Sequence, residues 1–241
     1  MATRSNDTGL LKKHVLSYIK KDGGALIPEL KGAARNDKSE RGWKHPDFAY
    51  LLMPVKYDPT PEILTFLRAN DRRYPVTHNQ LPRFLFPEGH VLVPMHEEDH
   101  LLEGHFIIFV LKHTYTTPSS VFSTGKGSRK GSNAERIGIN ALSACPTAYG
   151  CIQARHMLNT QPEWERIDGN FNAEKFYWSI VTILEDGDEG KAHLDKISKV
   201  VFGNNTQPPL SDDSEEESVE ARILRHRRER AEAVTGGVPS T

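Results

Sequence analysis

Cysteine is scarce in this chain: Cys145 and Cys151 are the only two among 241 residues. Two thiols cannot build a disulfide framework or a closed cysteine-rich zinc site, so neither device is expected here. Long apolar runs are missing as well. The longest, Phe106 to Leu111, is far too short to cross a bilayer, and no membrane association is expected. Charge of one sign is also lacking. Lysine and arginine number 31 against 32 acids, for a net charge of -1, so no global excess advertises nucleic acid or a basic partner. The opening stretch MATRSNDTGLLKKHVLSYIKK interrupts its apolar residues with Lys12 and Lys13 and so has no signal-peptide core. These absences point to an intracellular protein, cytoplasmic or nuclear, and not to a secreted one.

What is there suffices for a core. With 37% hydrophobic and 26% charged residues the chain has the composition of an ordinary globular protein, long enough for one sizeable domain with tails. Leu10, Leu11, Val15, Tyr18 and Ile19 recur at helical spacing, with Asp7 or Thr8 as the cap and Gly23-Gly24 as the stop. Residues 31–47 are polar and read as a loop anchored by Trp43. Thr60-Pro61-Glu62 supplies a cap, a proline at the first position and a first-turn acid for a helix carrying Ile63, Leu64, Phe66 and Leu67. Prolines 75, 82, 87 and 94 forbid long helices there, so short extended segments are expected at 83–86 and 90–93.

A helix is predicted from about Glu98 to Tyr115, then a Ser-, Gly- and Lys-rich loop from 119 to 133. Further helices are predicted at 147–158, 173–185 and 189–201, the last two capped by Asn172 and Asp188. After residue 204 the composition turns to an acidic block, SDDSEEESVE, and then a basic one, ARILRHRRERAEA. The expectation is a mainly α fold: one helical domain over 1–204, with a few short extended segments around 83–93, and a disordered or helix-prone charged tail over 205–241.

Several landmarks stand in a characteristic order. They are Asp7-Thr8 with Leu11-Lys12, Phe48 to Pro54, and Lys112-His113 through Thr117-Pro118-Ser119-Ser120. After these come Ser132 to Ile137, Ala148-Tyr149 with Gln153-Ala154-Arg155, and Phe176-Tyr177 through Glu185-Asp186. In this order the chain resembles a fungal family known only as domain of unknown function 6698, over roughly residues 7–203. The resemblance implies a basidiomycete origin and no activity. Around 94–104 the chain departs from that family's pattern, which is closer to Y-D-P-E-D-P-W-K-G-L-L, so His96 and His100 are peculiar to this chain.

The most tempting chemistry lies in that stretch. His96-Glu97-Glu98-Asp99-His100 spells H-E-x-x-H, in which two imidazoles one helical turn apart hold zinc and the glutamate, here Glu97, acts as general base. The nearest third ligands are Glu103 and His105. Against zinc stand the charged variable positions Glu98 and Asp99 and the proline at 94. The plainer expectation is an acidic first turn, with Glu97, Glu98 and Asp99 complementing the dipole of the helix that buries Phe106 and Phe109. Lys126, Arg129 and Lys130, together with Arg225, Arg227, Arg228 and Arg230, could make weak phosphate contacts, although no Walker spacing is present. Ser211, Ser214 and Ser218 lie among acids and suit an acid-directed kinase.

A Cys–His nucleophile from Cys145 or Cys151 with His113 or His156 is weighed against core packing, which is preferred for Cys151. Phe171, Phe176, Tyr177 and Trp178 open a segment that is apolar nearly all round and reads as a central helix. The leading expectation is a non-enzymatic domain that binds a macromolecule, protein or nucleic acid, without a cofactor. A zinc-dependent hydrolase and a weak nucleic-acid binder are the alternatives.

Overall fold

The computed structural model describes residues 5–30, 37–122 and 141–203. Among them are seven α-helices: α1 (Ser5–His14), α2 (Pro46–Leu52), α3 (Pro61–Arg68), α4 (His105–Tyr115), α5 (Ala144–Leu158), α6 (Ala173–Glu185) and α7 (Gly187–Phe202). The sheet content among the described residues is one antiparallel ribbon of two-residue strands, β1 (Ile167–Asp168) with β2 (Phe171–Asn172). The fold is mainly α, as the periodicities predict.

Local chemistry accounts for the clearest boundaries. Thr60 Oγ1 accepts from Ile63 N at 3.3 Å, with Pro61 opening α3 behind it. Asn172 Oδ1 accepts from Lys175 N at 3.0 Å and starts α6. Two predicted caps differ. Helix α1 begins at Ser5, before Asp7, and α7 begins at Gly187, with Asp186 rather than Asp188 at its N-cap. A turn of 3-10 helix over Val15–Tyr18 extends α1, and Gly23 ends the run at φ +72°.

The central helix is α5, not α6. Every residue from Gly150 to Asn159 is buried, and α5 packs against α1, α2, α4 and α6. Its approach to α4 is so close that a Cβ on Gly150 would lie 2.4 Å from a methyl carbon of Leu111. Helix α6 is amphipathic: Phe176, Tyr177, Ile180, Val181 and Leu184 are buried, whereas Glu174, Lys175, Trp178 and Thr182 face solvent. The expectation that it is apolar nearly all round and central is corrected by that outward stripe.

Two larger corrections matter for function. The polar stretch read as a loop around Trp43 is in part core: Lys38 and Arg41 are buried, and a 3-10 turn over Gly42–Lys44 leads into α2. The helix predicted from Glu98 begins only at His105, with Gly104 as its N-cap and no acid in its first turn. The extended segment predicted at 83–86 is likewise a 3-10 turn, Arg83–Leu85. It receives Gly104 N on Leu85 O at 3.2 Å, and a Cβ on Gly104 would lie 2.3 Å from Phe84 O. Glycine is required at 104 because one backbone lies directly on another. That junction fixes both ends of the loop between them.

Candidate functional site

Between Phe86 and Gly104 the chain leaves the core, exposes its tip and returns. The way out is tied down. Arg83 Nη1 donates to His90 O at 3.2 Å, and its Nη2 donates to Val55 O and Tyr57 O. Gly89 N donates to the Tyr50 hydroxyl at 3.2 Å, and the His90 ring stacks on Phe86 at 4.7 Å between centroids, 8° from parallel. The way back is tied down too, by buried Leu101 and Leu102 and by Glu103, whose Oε1 takes a 2.5 Å ion pair from Lys196 on α7 and lies 3.3 Å from His100 Nδ1. Partial burial pulls the Glu103 carboxyl upward, but hydrogen bonds from Lys196 and His100 outweigh it and leave its pKa lowered. The pKa of His90 is lowered by burial first, then by the neighbouring His100 and Arg83.

The tip is a series of turns. His96 N bonds Val93 O at 3.0 Å, Leu101 N bonds Glu98 O at 2.8 Å, and Glu103 N bonds His100 O at 3.1 Å. The third residue of each turn is left-handed: Met95 at φ +67°, His100 at +64° and Leu102 at +66°. This is the arrangement of a type II turn, which favours glycine or asparagine at that place. Here all three are ordinary L-residues, each at a cost of about 1 kcal/mol. Pro94 suits the second place of the first turn, where its fixed φ is an asset. Pro94 therefore shapes a turn and does not introduce a helix.

His96 and His100 are not one helical turn apart on a helix, and no group of three or more His, Cys, Asp or Glu residues among the described residues converges on a common point. Of the third-ligand candidates, Glu103 is engaged by Lys196, and His105 Nε2 donates to Ile19 O at 2.9 Å from the first turn of α4. Glu97 is exposed with no imidazole-held metal position beside it for a base to serve. The acids do not line the start of α4 either. They lie on the loop, Glu97 and Asp99 in solvent and Glu98 half-buried.

What the loop displays is apolar. Val91, Val93 and Met95 are 74%, 50% and 89% exposed. Three large apolar side chains within five residues, on a tip held at both ends, differ from the scattered single apolar residues of an ordinary surface. The sequence reasoning placed a short extended segment at 90–93 and did not single out its apolar side chains. Prolines at 87 and 94 on either side of an apolar run, with nothing near to pair with, were the available signal.

Two buried polar clusters answer to structure rather than chemistry. Lys38 Nζ donates to Asn159 Oδ1 at 2.8 Å and to His156 O and Gln161 O, and Arg41 Nη1 donates to Met157 O at 3.0 Å. Both cations thus cap the C-terminal carbonyls of α5, which have no partner within the helix. Burial first, then Arg41, pushes the Lys38 ammonium down to about 7, and its oxygen partners work in the opposite direction by favouring the charged form. Arg155 lies with its Cζ 3.5 Å from the centre of the Phe171 ring and pairs with Asp168 at 3.3 Å.

Between the 3-10 turn after α1 and helix α4, Tyr18 Oη and His113 Nδ1 share a 2.8 Å hydrogen bond, and burial pushes the His113 imidazole down to about 4. Of the residues weighed for a Cys–His nucleophile, His113 is bonded to Tyr18, His156 Nδ1 lies 3.3 Å from Lys38 Nζ, Cys145 is exposed and Cys151 is buried with its thiol driven far upward. No hydrogen bond among the described residues joins either cysteine to either histidine. Lys126, Arg129, Lys130, Ser211, Ser214, Ser218, Arg225, Arg227, Arg228 and Arg230 lie outside the described residues. No described helix is long and apolar enough to cross a membrane.

A family model described as a family of unknown function, DUF6698, matches residues 1–199. No curated protein and no solved structure matches the chain.

Proposed function

The chain belongs to the DUF6698 family, and on that premise we propose that it is a non-enzymatic, intracellular protein-binding module whose contact is the loop of residues 91–100. The observation that carries this reading is the exposure of Val91, Val93 and Met95 on a tip held at both ends, bought with left-handed backbone at Met95 and His100. Loops on a rigid frame are where recognition concentrates, and strained positions persist where the surrounding structure over-determines them. A pre-shaped loop loses little conformational entropy on binding.

The loop's charge narrows the partner. Glu97 and Asp99 are exposed and Glu98 half-buried beside the apolar tip. Three carboxylates repel a phosphate backbone, which favours protein over nucleic acid. The complementary surface is a shallow apolar recess rimmed by lysine and arginine.

The test is a photo-crosslinking residue at position 93, compared in the full chain with and without Val91→Ser and Met95→Gly made together. A discrete protein adduct in the first that is lost in the second, with helical content unchanged, is expected. An identical adduct pattern in both would reject the loop as the contact.

A further inference from the structure

We infer that Met95 is a peroxide-sensitive modification site whose oxidation releases the partner; the chemistry stands on the structure alone, and the release rests on the loop being the contact. Three methionines lie among the described residues, and their surroundings could hardly differ more. Met95 is 89% exposed at the third place of its turn, whereas Met53 and Met157 are 0% exposed in the core. Oxidation requires a collision between sulfur and oxidant. For Met53 and Met157 that collision waits on an opening of the fold, and for Met95 it does not.

The backbone strengthens the contrast. At φ +67° Met95 holds the third place of a turn closed by the Val93–His96 hydrogen bond, and its side chain is left in solvent. The reaction is a two-electron transfer. The thioether sulfur attacks one peroxide oxygen, the S–O bond forms as the O–O bond breaks, and the departing hydroxide leaves as water with the proton that the sulfur-bound oxygen gives up. Sulfur is oxidised to the sulfoxide and the peroxide is reduced. The product is a polar, hydrogen-bond-accepting group where the contact calls for an apolar one, and an unpaired polar atom in a dry recess opposes binding. The turn itself is held by backbone bonds and Pro94, so the fold is not altered.

The experiment treats the full chain with dilute hydrogen peroxide and follows each methionine peptide by mass. Expected is one added oxygen at Met95, at least about tenfold faster than at Met53 or Met157, with an unchanged melting curve. Met53 or Met157 oxidised as fast as Met95 would overturn the site, while the binding proposal would stand. The second arm repeats the position-93 crosslink with oxidised protein, with oxidised protein restored by a methionine sulfoxide reductase, and with peroxide-treated Met95→Leu. Loss, recovery and resistance, respectively, are expected. An undiminished crosslink from protein fully oxidised at Met95 would overturn the release.

Discussion

Replacing Lys38 with methionine removes the ammonium from the C-terminus of α5 while keeping most of the side-chain volume. The His156 and Gln161 carbonyls lose their Lys38 donor at once, whereas Asn159 Oδ1 keeps the Gln161 N–H at 3.2 Å. A buried acceptor left unsatisfied costs about 1–3 kcal/mol. The full sum is not reached, because Arg41 still holds Met157 O at 3.0 Å and because the variant no longer buries a charge. A net loss of about 3 kcal/mol is expected, a large part of the roughly 5–15 kcal/mol that stabilises a domain. At about 2–4 °C per kcal/mol for a domain of this size, Tm should fall by about 6–12 °C. The control is Lys44→Met, whose 3.5 Å pair with Glu40 is exposed and contributes at most about 0.5 kcal/mol. Scanning calorimetry of both variants against the wild type decides the matter. Equal Tm values for the two lysine variants would refute the clamp.

Met95→Gly relieves a left-handed L-residue and should leave the protein as stable as the wild type or about 1 kcal/mol more so, by urea titration, while the partner crosslink weakens. A loss of stability would mean the methionine packs rather than projects. His113 and His156 are both held down to about 4 by burial, His156 next by Lys38, whereas an unfolded histidine titrates near 6.5. The unfolded chain therefore binds more protons between those values. Their contribution is complete above about pH 6.5 and is lost on acidification, about 1–2 kcal/mol each by pH 5. Urea midpoints at pH 7 and 5 should show this loss, and a His113→Gln/His156→Gln double variant should lack most of it; an equal pH dependence in both would count against it. Gly104→Ala places a methyl group 2.3 Å from the Phe84 carbonyl and should destabilise by more than about 3 kcal/mol or abolish folding; wild-type stability would contradict that close approach. Dialysis against a chelator should leave the melting curve unchanged, and a drop that His96→Ala also produces would revive a zinc site at the loop.

The parts of the fold that a local signal specifies were legible. Thr60 and Asn172 each face a backbone N–H three residues on, so their caps can be read from spacing, and α6 runs over the predicted residues. Non-local interactions were not legible. Lys38 and Arg41 look solvated in the sequence because lysine and arginine usually are, and only the carbonyls of α5, more than a hundred residues away, make them core residues. His96 and His100 match a helical motif by spacing, but left-handed backbone at Met95, His100 and Leu102 breaks the helix that would align them. Helix propensity disfavours none of those residues strongly enough to announce it. The apolar tip was hidden for a related reason: a short apolar run points inward only where a neighbouring strand or helix covers it, and coverage is not written locally.

The most direct measurement is the position-93 crosslink itself, quantified against the same crosslinker placed at Lys175, an exposed residue on the outer face of α6 remote in sequence from the loop. A protein adduct formed at 93 and not at 175, and lost with the apolar side chains of the tip, is the expected result. Equal adducts at both positions, or none at 93 in an extract where the partner is present, would show that Val91, Val93 and Met95 are exposed without being a contact.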